Sequence, residues 1–141
     1  MIQKILRQIV EAVDYLHSNN VFHRDLKPQN ILINSNNLIK IADFGLGRIV
    51  GPKLQTMSKE IETLWYRAPE LLFGNVRYDL EVDVWSIGCI FYELAEGHIL
   101  FHTESEIGQI MEIMKQLGTP SVEDCKNLID LPYFRVKNIT I

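Results

Sequence analysis

Three oxygen-bearing side chains, those of Asp25, Asn30 and Asp43, flank a short stretch with the composition of a β-hairpin. The hairpin is predicted from two apolar, β-rich runs, residues 30–33 and 38–41, separated by four turn-forming residues. Because a hairpin brings its ends together, Asn30 and Asp43 can face one site, with Asp25 on the preceding loop. Amide and carboxylate oxygens suit Mg²⁺, which usually completes its coordination with water and phosphate oxygens. The pattern therefore favours phosphoryl-transfer chemistry.

Helices are predicted on both sides of this stretch. Apolar residues recur at steps of three and four from Ile2 to Leu16, which predicts an amphipathic helix that ends at residues 18–20. A second helix, Val82 to Leu94, is apolar on nearly every side and is expected to be the axis of the core. A third, amphipathic helix is predicted from Ile107 to Leu117, and Gly118 directly after it is a typical helix stop.

The segment from Asp43 to Glu70 has neither a helical nor a strand period, and several glycines and prolines interrupt it. A loop of this length in a compact domain is usually functional or disordered. We find no internal repeat and no linker composition, so a single domain is expected.

Composition narrows the class of protein. The chain has 141 residues, 47% of them hydrophobic, which is enough for one core. Its 18 acidic residues exceed its 14 basic residues, which disfavours a nucleic-acid-binding protein. No stretch has the length and apolar content of a signal peptide or membrane span, so we expect no membrane partner. Two cysteines are too few for a disulfide framework, which favours a reducing compartment, the cytoplasm or the nucleus.

Four motifs in a fixed order carry a resemblance to a known family. Residues 23–30 read HRDLKPQN, residues 43–45 read DFG, residues 68–70 read APE and residues 83–89 read DVWSIGC. Together they resemble the signature set of eukaryotic protein kinases. One such tripeptide would be a weak signal, whereas four in this order and spacing are highly specific.

Further motifs make the chain most similar to the cyclin-dependent kinase group. These are KPQN within the first motif, TLWYRAPE at residues 63–70 and LGTP at residues 117–120. The resemblance implies an α+β fold class: the mostly helical C-terminal lobe of the protein kinase fold with a small β-hairpin, truncated at both ends. Residues 1–141 are then expected to be a partial kinase domain holding the catalytic loop, the activation segment, the central helix and the helix after it.

The implied function is that of a protein serine/threonine kinase that uses ATP and Mg²⁺, acts on a protein substrate and prefers proline after the target residue. A cyclin-like activator is a possible partner. A kinase also needs a glycine-rich loop, a strand lysine and a helix glutamate, and the chain contains none of these. The alternative is therefore a catalytically inactive, kinase-like scaffold or interaction module.

The resemblance assigns roles around the nucleotide. Asp25 is implied to be the carboxylate that accepts the proton of the substrate hydroxyl, and Lys27 to neutralise the charge of the transferred phosphoryl group. Asn30 and Asp43 correspond to the Mg²⁺ ligands that connect the metal to the ATP phosphates. Leu32 is implied to lie beneath the adenine ring.

Other roles implied by the resemblance concern regulation and substrate choice. Thr63 is implied to hydrogen-bond with the catalytic loop, a feature of Ser/Thr kinases. Ser58 occupies the place of the activating phosphorylation site, with Arg24 and Arg48 positioned to bind its phosphate, although an ordinary loop serine is the alternative. Arg67 is implied to shape the pocket for the proline.

Several residues have structural expectations. His23 is expected to be structural rather than catalytic. Asp83 is implied to cap the backbone of the catalytic loop, the alternative being a solvated carboxylate at a helix start. Cys89, Met111 and Met114 are expected to be packing residues.

Overall fold

The computed structural model describes residues 1–43, 64–74 and 80–121, together with the backbone of residues 48–49. Within these ranges, a single turn of 3-10 helix covers Pro28–Asn30. The α-helices are α1 (Ile2–Ser18), α2 (Pro69–Leu72), α3 (Glu81–Glu96) and α4 (Glu106–Leu117). The strands are β1 (Val21–Phe22), β2 (Ile31–Ile33), β3 (Ile39–Ile41) and β4 (Arg48–Ile49).

Helix α1 confirms the predicted amphipathic helix. Its apolar stripe buries Ile9 and Val13 in the core, because residues at steps of three and four share one helix face. The chain leaves the helix through Asn20, whose φ of 57° lies in the left-handed region that asparagine tolerates. The side chain of Gln8, within α1, donates to the Asn37 carbonyl at 3.1 Å and accepts from the Ile39 N–H at 3.0 Å. These two bonds attach α1 to the hairpin.

The predicted hairpin is confirmed with nearly the predicted bounds. Strands β2 and β3 are antiparallel, with Ile31 opposite Ile41. The turn closes because the Asn34 side chain accepts the N–H of Leu38 at 2.9 Å and Asn37 takes a φ of 58°. The register places the residue before β2 and the residue after β3 at the same end of the hairpin.

A second, shorter ladder was not predicted. Strand β1 pairs antiparallel with β4, with Val21 opposite Ile49. Each partner is only two residues long, so neither has an alternation of polar and apolar residues from which a strand could be recognised. The pairing connects the start of residues 23–30, which the resemblance implies are the catalytic loop, to the segment that follows Asp43.

Helix α3 confirms the second predicted helix, and it ends on Gly97 with a φ of 77°, the left-handed conformation that glycine favours. Its expected burial on every side is wrong for the described part of the chain, where Val84 is 58% exposed and Phe91 is 46% exposed. The described elements leave one face of the helix exposed, whereas its composition is that of a helix surrounded by protein. No described helix combines the length and the apolar content needed to cross a membrane.

Helix α4 begins and ends as predicted, but its buried face differs from the predicted one. Ile110 and Ile113 are buried, whereas Ile107 and Met111 are exposed, so the expectation that Met111 packs in the core is wrong. Met114 does pack against the core as expected. Two overlapping apolar stripes run along this helix, and the packing partner selects which one is buried.

Cys89 is buried, with 3% of its surface exposed, which confirms that it is a packing residue. Burial raises the pKa of the Cys89 thiol to about 12, so the reactive thiolate is scarce at pH 8. In a Cys125→Ser variant, we expect an aromatic disulfide reagent at pH 8 to label the remaining thiol at least about 100-fold faster in denaturant than in native buffer. Equal rates under the two conditions would contradict the burial of Cys89.

Candidate active site

One carboxylate of α3 binds the backbone at the start of the catalytic loop. Asp83 is fully buried, and its two oxygens accept the backbone N–H of His23 at 2.9 Å and that of Arg24 at 2.8 Å. The ring of His17, on α1, lies 2.8 Å from the same carboxylate. Arg24 has a φ of 67°, which is strained for a residue with a side chain and persists only where the surroundings hold it. Asp83 therefore supplies the cap that the resemblance implies.

His23 connects the catalytic loop to the exit of the hairpin. The ring is fully buried, with Nε2 2.9 Å from the Ala42 carbonyl and Nδ1 accepting the Asp25 N–H at 3.3 Å. A carbonyl only accepts and an N–H only donates, so the ring is in the tautomer that carries its proton on Nε2. This arrangement is that of the structural histidine expected from the sequence.

Asp25, Lys27 and Asn30 form one polar cluster. Lys27 Nζ lies 3.3 Å from Asp25 Oδ2, and these side chains are 11% and 10% exposed, respectively. Asn30 Nδ2 donates to the Asp25 carbonyl at 2.8 Å and lies 3.4 Å from Oδ2. Among the described residues, nothing donates to the buried Asp25 Oδ1. The cluster thus orients the carboxylate through one oxygen, and the other oxygen is buried without a hydrogen-bond donor among the described residues.

Two candidate oxygen donors for a divalent cation lie at the shared end of the hairpin. The Ala42 N–H donates to the Asn30 carbonyl at 2.8 Å, which brings Asn30 beside the exposed Asp43. The Asn30 amide uses its nitrogen within the cluster, and no described residue donates to its oxygen. The described residues contain no group of three or more His, Cys, Asp and Glu suited to a metal. One amide and one carboxylate oxygen fit Mg²⁺ that keeps water and phosphate ligands.

Arg67 lies beside the Asp25 end of the polar cluster. It shares the lining of a small cavity with Arg24 and Asp25, and its side chain is 8% exposed. Burial lowers the pKa of the guanidinium, and the negative charges of Glu106 and Asp25 oppose that shift. The structure therefore holds a buried cation next to Asp25.

Some expected site residues fall outside the described structure. Thr63 and Ser58 are not described, and Arg48 is described only in its backbone, so their roles stay predictions. Two residues that contact the site were not predicted from the sequence: His17, beside Asp83, and Glu106, beside Arg67. Neither belongs to a motif, and each lies at least 39 residues from its partner, so no local pattern signals the contact.

Comparison with known proteins agrees with this architecture. The family model described as the protein kinase domain matches residues 1–133. The chain is 52% identical over 119 residues to a protein of Trypanosoma brucei brucei named cell division control protein 2 homolog 3. The aligned region covers 84% of this chain and 38% of that protein. It is 48% identical over 136 residues to cyclin-dependent kinase 1 of Encephalitozoon cuniculi, with 96% of this chain and 46% of that protein covered.

A solved structure shows the same fold. A chain in the crystal structure of the yeast RNA Pol II CTD kinase CTDK-1 complex superposes with a TM-score of 0.89 at 38% identity, covering 99% of this chain and 46% of that one. The present chain thus spans less than half the length of each of these three proteins. The expected fold class, a helix-rich kinase lobe with a small antiparallel hairpin, is confirmed. The chain belongs to the protein kinase family and is of the cyclin-dependent kinase-like type.

Proposed function

We propose that this chain provides the catalytic loop and metal-binding hairpin of a protein serine/threonine kinase that transfers the γ-phosphate of ATP. The observation that carries the proposal is the cluster of Asp25, Lys27 and Asn30, in which Lys27 lies 3.3 Å from one Asp25 oxygen while the other has no described partner. A scaffold has no physical need for a carboxylate oriented in this way. No specific observation favours the inactive alternative.

In the proposed reaction, a substrate Ser or Thr hydroxyl attacks the γ-phosphorus. The new oxygen–phosphorus bond forms as the bond to the β,γ-bridging oxygen breaks, and that oxygen leaves with the electron pair as part of ADP. Asp25 orients the hydroxyl and receives the proton. Lys27, held beside Asp25, offsets the negative charge of the phosphoryl group. Thr63 is proposed to help hold the loop.

The residues at the hairpin suit the cofactors of such a reaction. Asn30 and Asp43 would hold Mg²⁺, which supplies charge neutralisation at the phosphate oxygens. Leu32 lies on the same hairpin with an exposed apolar side chain, as a residue beneath the adenine ring would. Asp43 has a φ of 62°, and strained backbone of this kind is often found at ligand-binding sites.

Substrate choice and regulation complete the proposal. Arg67, buried beside Asp25, is proposed to shape the pocket for a proline after the target residue. Ser58 is proposed as an activating phosphorylation site read by Arg24 and Arg48, because a phosphate binds most strongly to clustered arginines. A cyclin-like activator is proposed from the similarity to cyclin-dependent kinase 1 of Encephalitozoon cuniculi.

The test is a chimera in which the segment of this chain aligned to the Encephalitozoon cuniculi kinase replaces the matching segment of that kinase. The exchange spans 136 aligned residues at 48% identity and covers 46% of the host, so the host supplies the remainder of the kinase. With Mg²⁺ and ATP, and with the host's activator, we expect transfer to a Ser-Pro peptide within about tenfold of the host rate. A folded chimera that binds ATP but transfers no phosphate would contradict the proposal and favour the scaffold.

A further inference from the structure

We propose that Glu106, at the start of α4, is a positioning residue that holds the Arg67 guanidinium and thereby sets the preference for proline in the substrate. The inference rests on the proposed function, since it concerns the substrate pocket of that same site. Glu106 belongs to none of the kinase motifs, and its side chain is about half exposed.

Arg67 needs an anionic partner. Its side chain is 8% exposed, and burying an arginine is costly unless an opposite charge accompanies it. Asp25 is engaged with Lys27 at 3.3 Å. Among the described residues, Glu106 is the one carboxylate within salt-bridge distance of Arg67, with Oε1 4.0 Å from Nη1.

Glu106 is held in place by a chain of hydrogen bonds that begins two residues before Arg67. Trp65 Nε1 donates to the Thr103 carbonyl at 2.7 Å, and the Thr103 hydroxyl donates to Oε1 of the fully buried Gln109 at 2.6 Å. Ser105 caps α4 by accepting the backbone N–H three residues later at 3.1 Å. A carboxylate in the first turn is also favoured by the helix dipole. The helix start and the segment that carries Arg67 are therefore one connected unit.

The position of Glu106 distinguishes one end of the guanidinium from the other, since Nη1 is the nitrogen that lies 4.0 Å from its carboxylate. With Nη1 directed to Glu106, the buried Nε and Nη2 have no described acceptor. Two adjacent donors in a fixed plane require acceptors in a matching arrangement. If Glu106 loses its charge, the guanidinium is free to turn, and the shape of the pocket that it borders is no longer unique. Selection between substrates then weakens, because it depends on that shape.

The test compares two peptides that differ only in having proline or alanine after the target serine. In the chimera, we expect Glu106→Gln to lower the ratio of kcat/KM for the proline peptide to that for the alanine peptide by about fivefold or more. Glu106→Asp, which keeps the charge, is expected to restore part of the ratio. Glu112→Gln is the matched control, because Glu112 lies on the same helix but contacts Lys115 and Gln116 at the surface.

The outcomes are distinguishable. An unchanged ratio in Glu106→Gln would overturn the inference while leaving the proposed kinase function intact. Equal losses on both peptides would also overturn it, since that result indicates a general structural role. A parent chimera that is inactive on both peptides would contradict the proposed function, and the inference with it.

Discussion

Asp25→Asn in the chimera is expected to lower the rate of phosphoryl transfer by about 10²–10⁴-fold, the range typical for loss of a general base. The amide has nearly the shape of the carboxylate, but it cannot accept the proton of the substrate hydroxyl and has no charge to pair with Lys27. The Asn30 side chain bonds mainly to the Asp25 backbone carbonyl, at 2.8 Å, and this bond survives the change. Nucleotide affinity is therefore expected to stay nearly unchanged.

The measurement combines single-turnover transfer to a Ser-Pro peptide with ATP binding by calorimetry. Asp14→Asn is a suitable control, because Asp14 is an exposed carboxylate on α1. Transfer within about tenfold of the parent rate would contradict the role of Asp25 as the proton acceptor. A comparable loss of ATP affinity would instead indicate that Asp25 acts by holding the nucleotide site together.

Asp83→Ala is expected to cause the largest loss of stability, about 3–5 kcal/mol in the free energy of unfolding. The change leaves the backbone N–H groups of His23 and Arg24 and the ring of His17 without their buried acceptor. It also releases the strained backbone of Arg24, so the catalytic loop should lose its conformation. Both effects come from one fully buried carboxylate.

Urea unfolding of the chimera, followed by tryptophan fluorescence, measures this loss. Asp83→Asn is the milder partner variant, because its amide oxygen still accepts one bond, and we expect it to fall between the parent and the alanine variant. Asp14→Ala, an exposed carboxylate on α1, should change the stability by less than about 0.5 kcal/mol. A loss below about 1 kcal/mol in Asp83→Ala would show that the capping bonds contribute little.

The local elements could be predicted because their signals lie within a few residues. The stripe from Ile2 to Leu16 predicts α1, and the turn residues 34–37 predict the hairpin, which by itself brings Asn30 next to Asp43. The order of the four motifs was enough to identify the kinase family. It was also enough to select Asp25 and Lys27 as the candidate catalytic residues. These predictions required no knowledge of how the helices pack.

The buried faces of the helices could not be predicted in full. In α4, Ile113 is buried and Met111 is exposed, although both are apolar and belong to overlapping stripes. In α3, the sequence indicates burial all round, but Val84 and Phe91 are exposed in the described structure. Hydrophobic patterning reports which residues are able to be buried, whereas the neighbouring elements decide which of them are.

The family, the local elements and the residue types of the site are predictable from the sequence, since each depends on neighbours along the chain. The contacts of Asp83 with His23 and Arg24, and the position of Glu106 beside Arg67, become visible only in the folded structure. These partners are separated by 60, 59 and 39 positions. Such contacts exist because the packing of α3 and α4 brings distant segments within hydrogen-bond or ion-pair distance, and no periodicity along the chain encodes that distance.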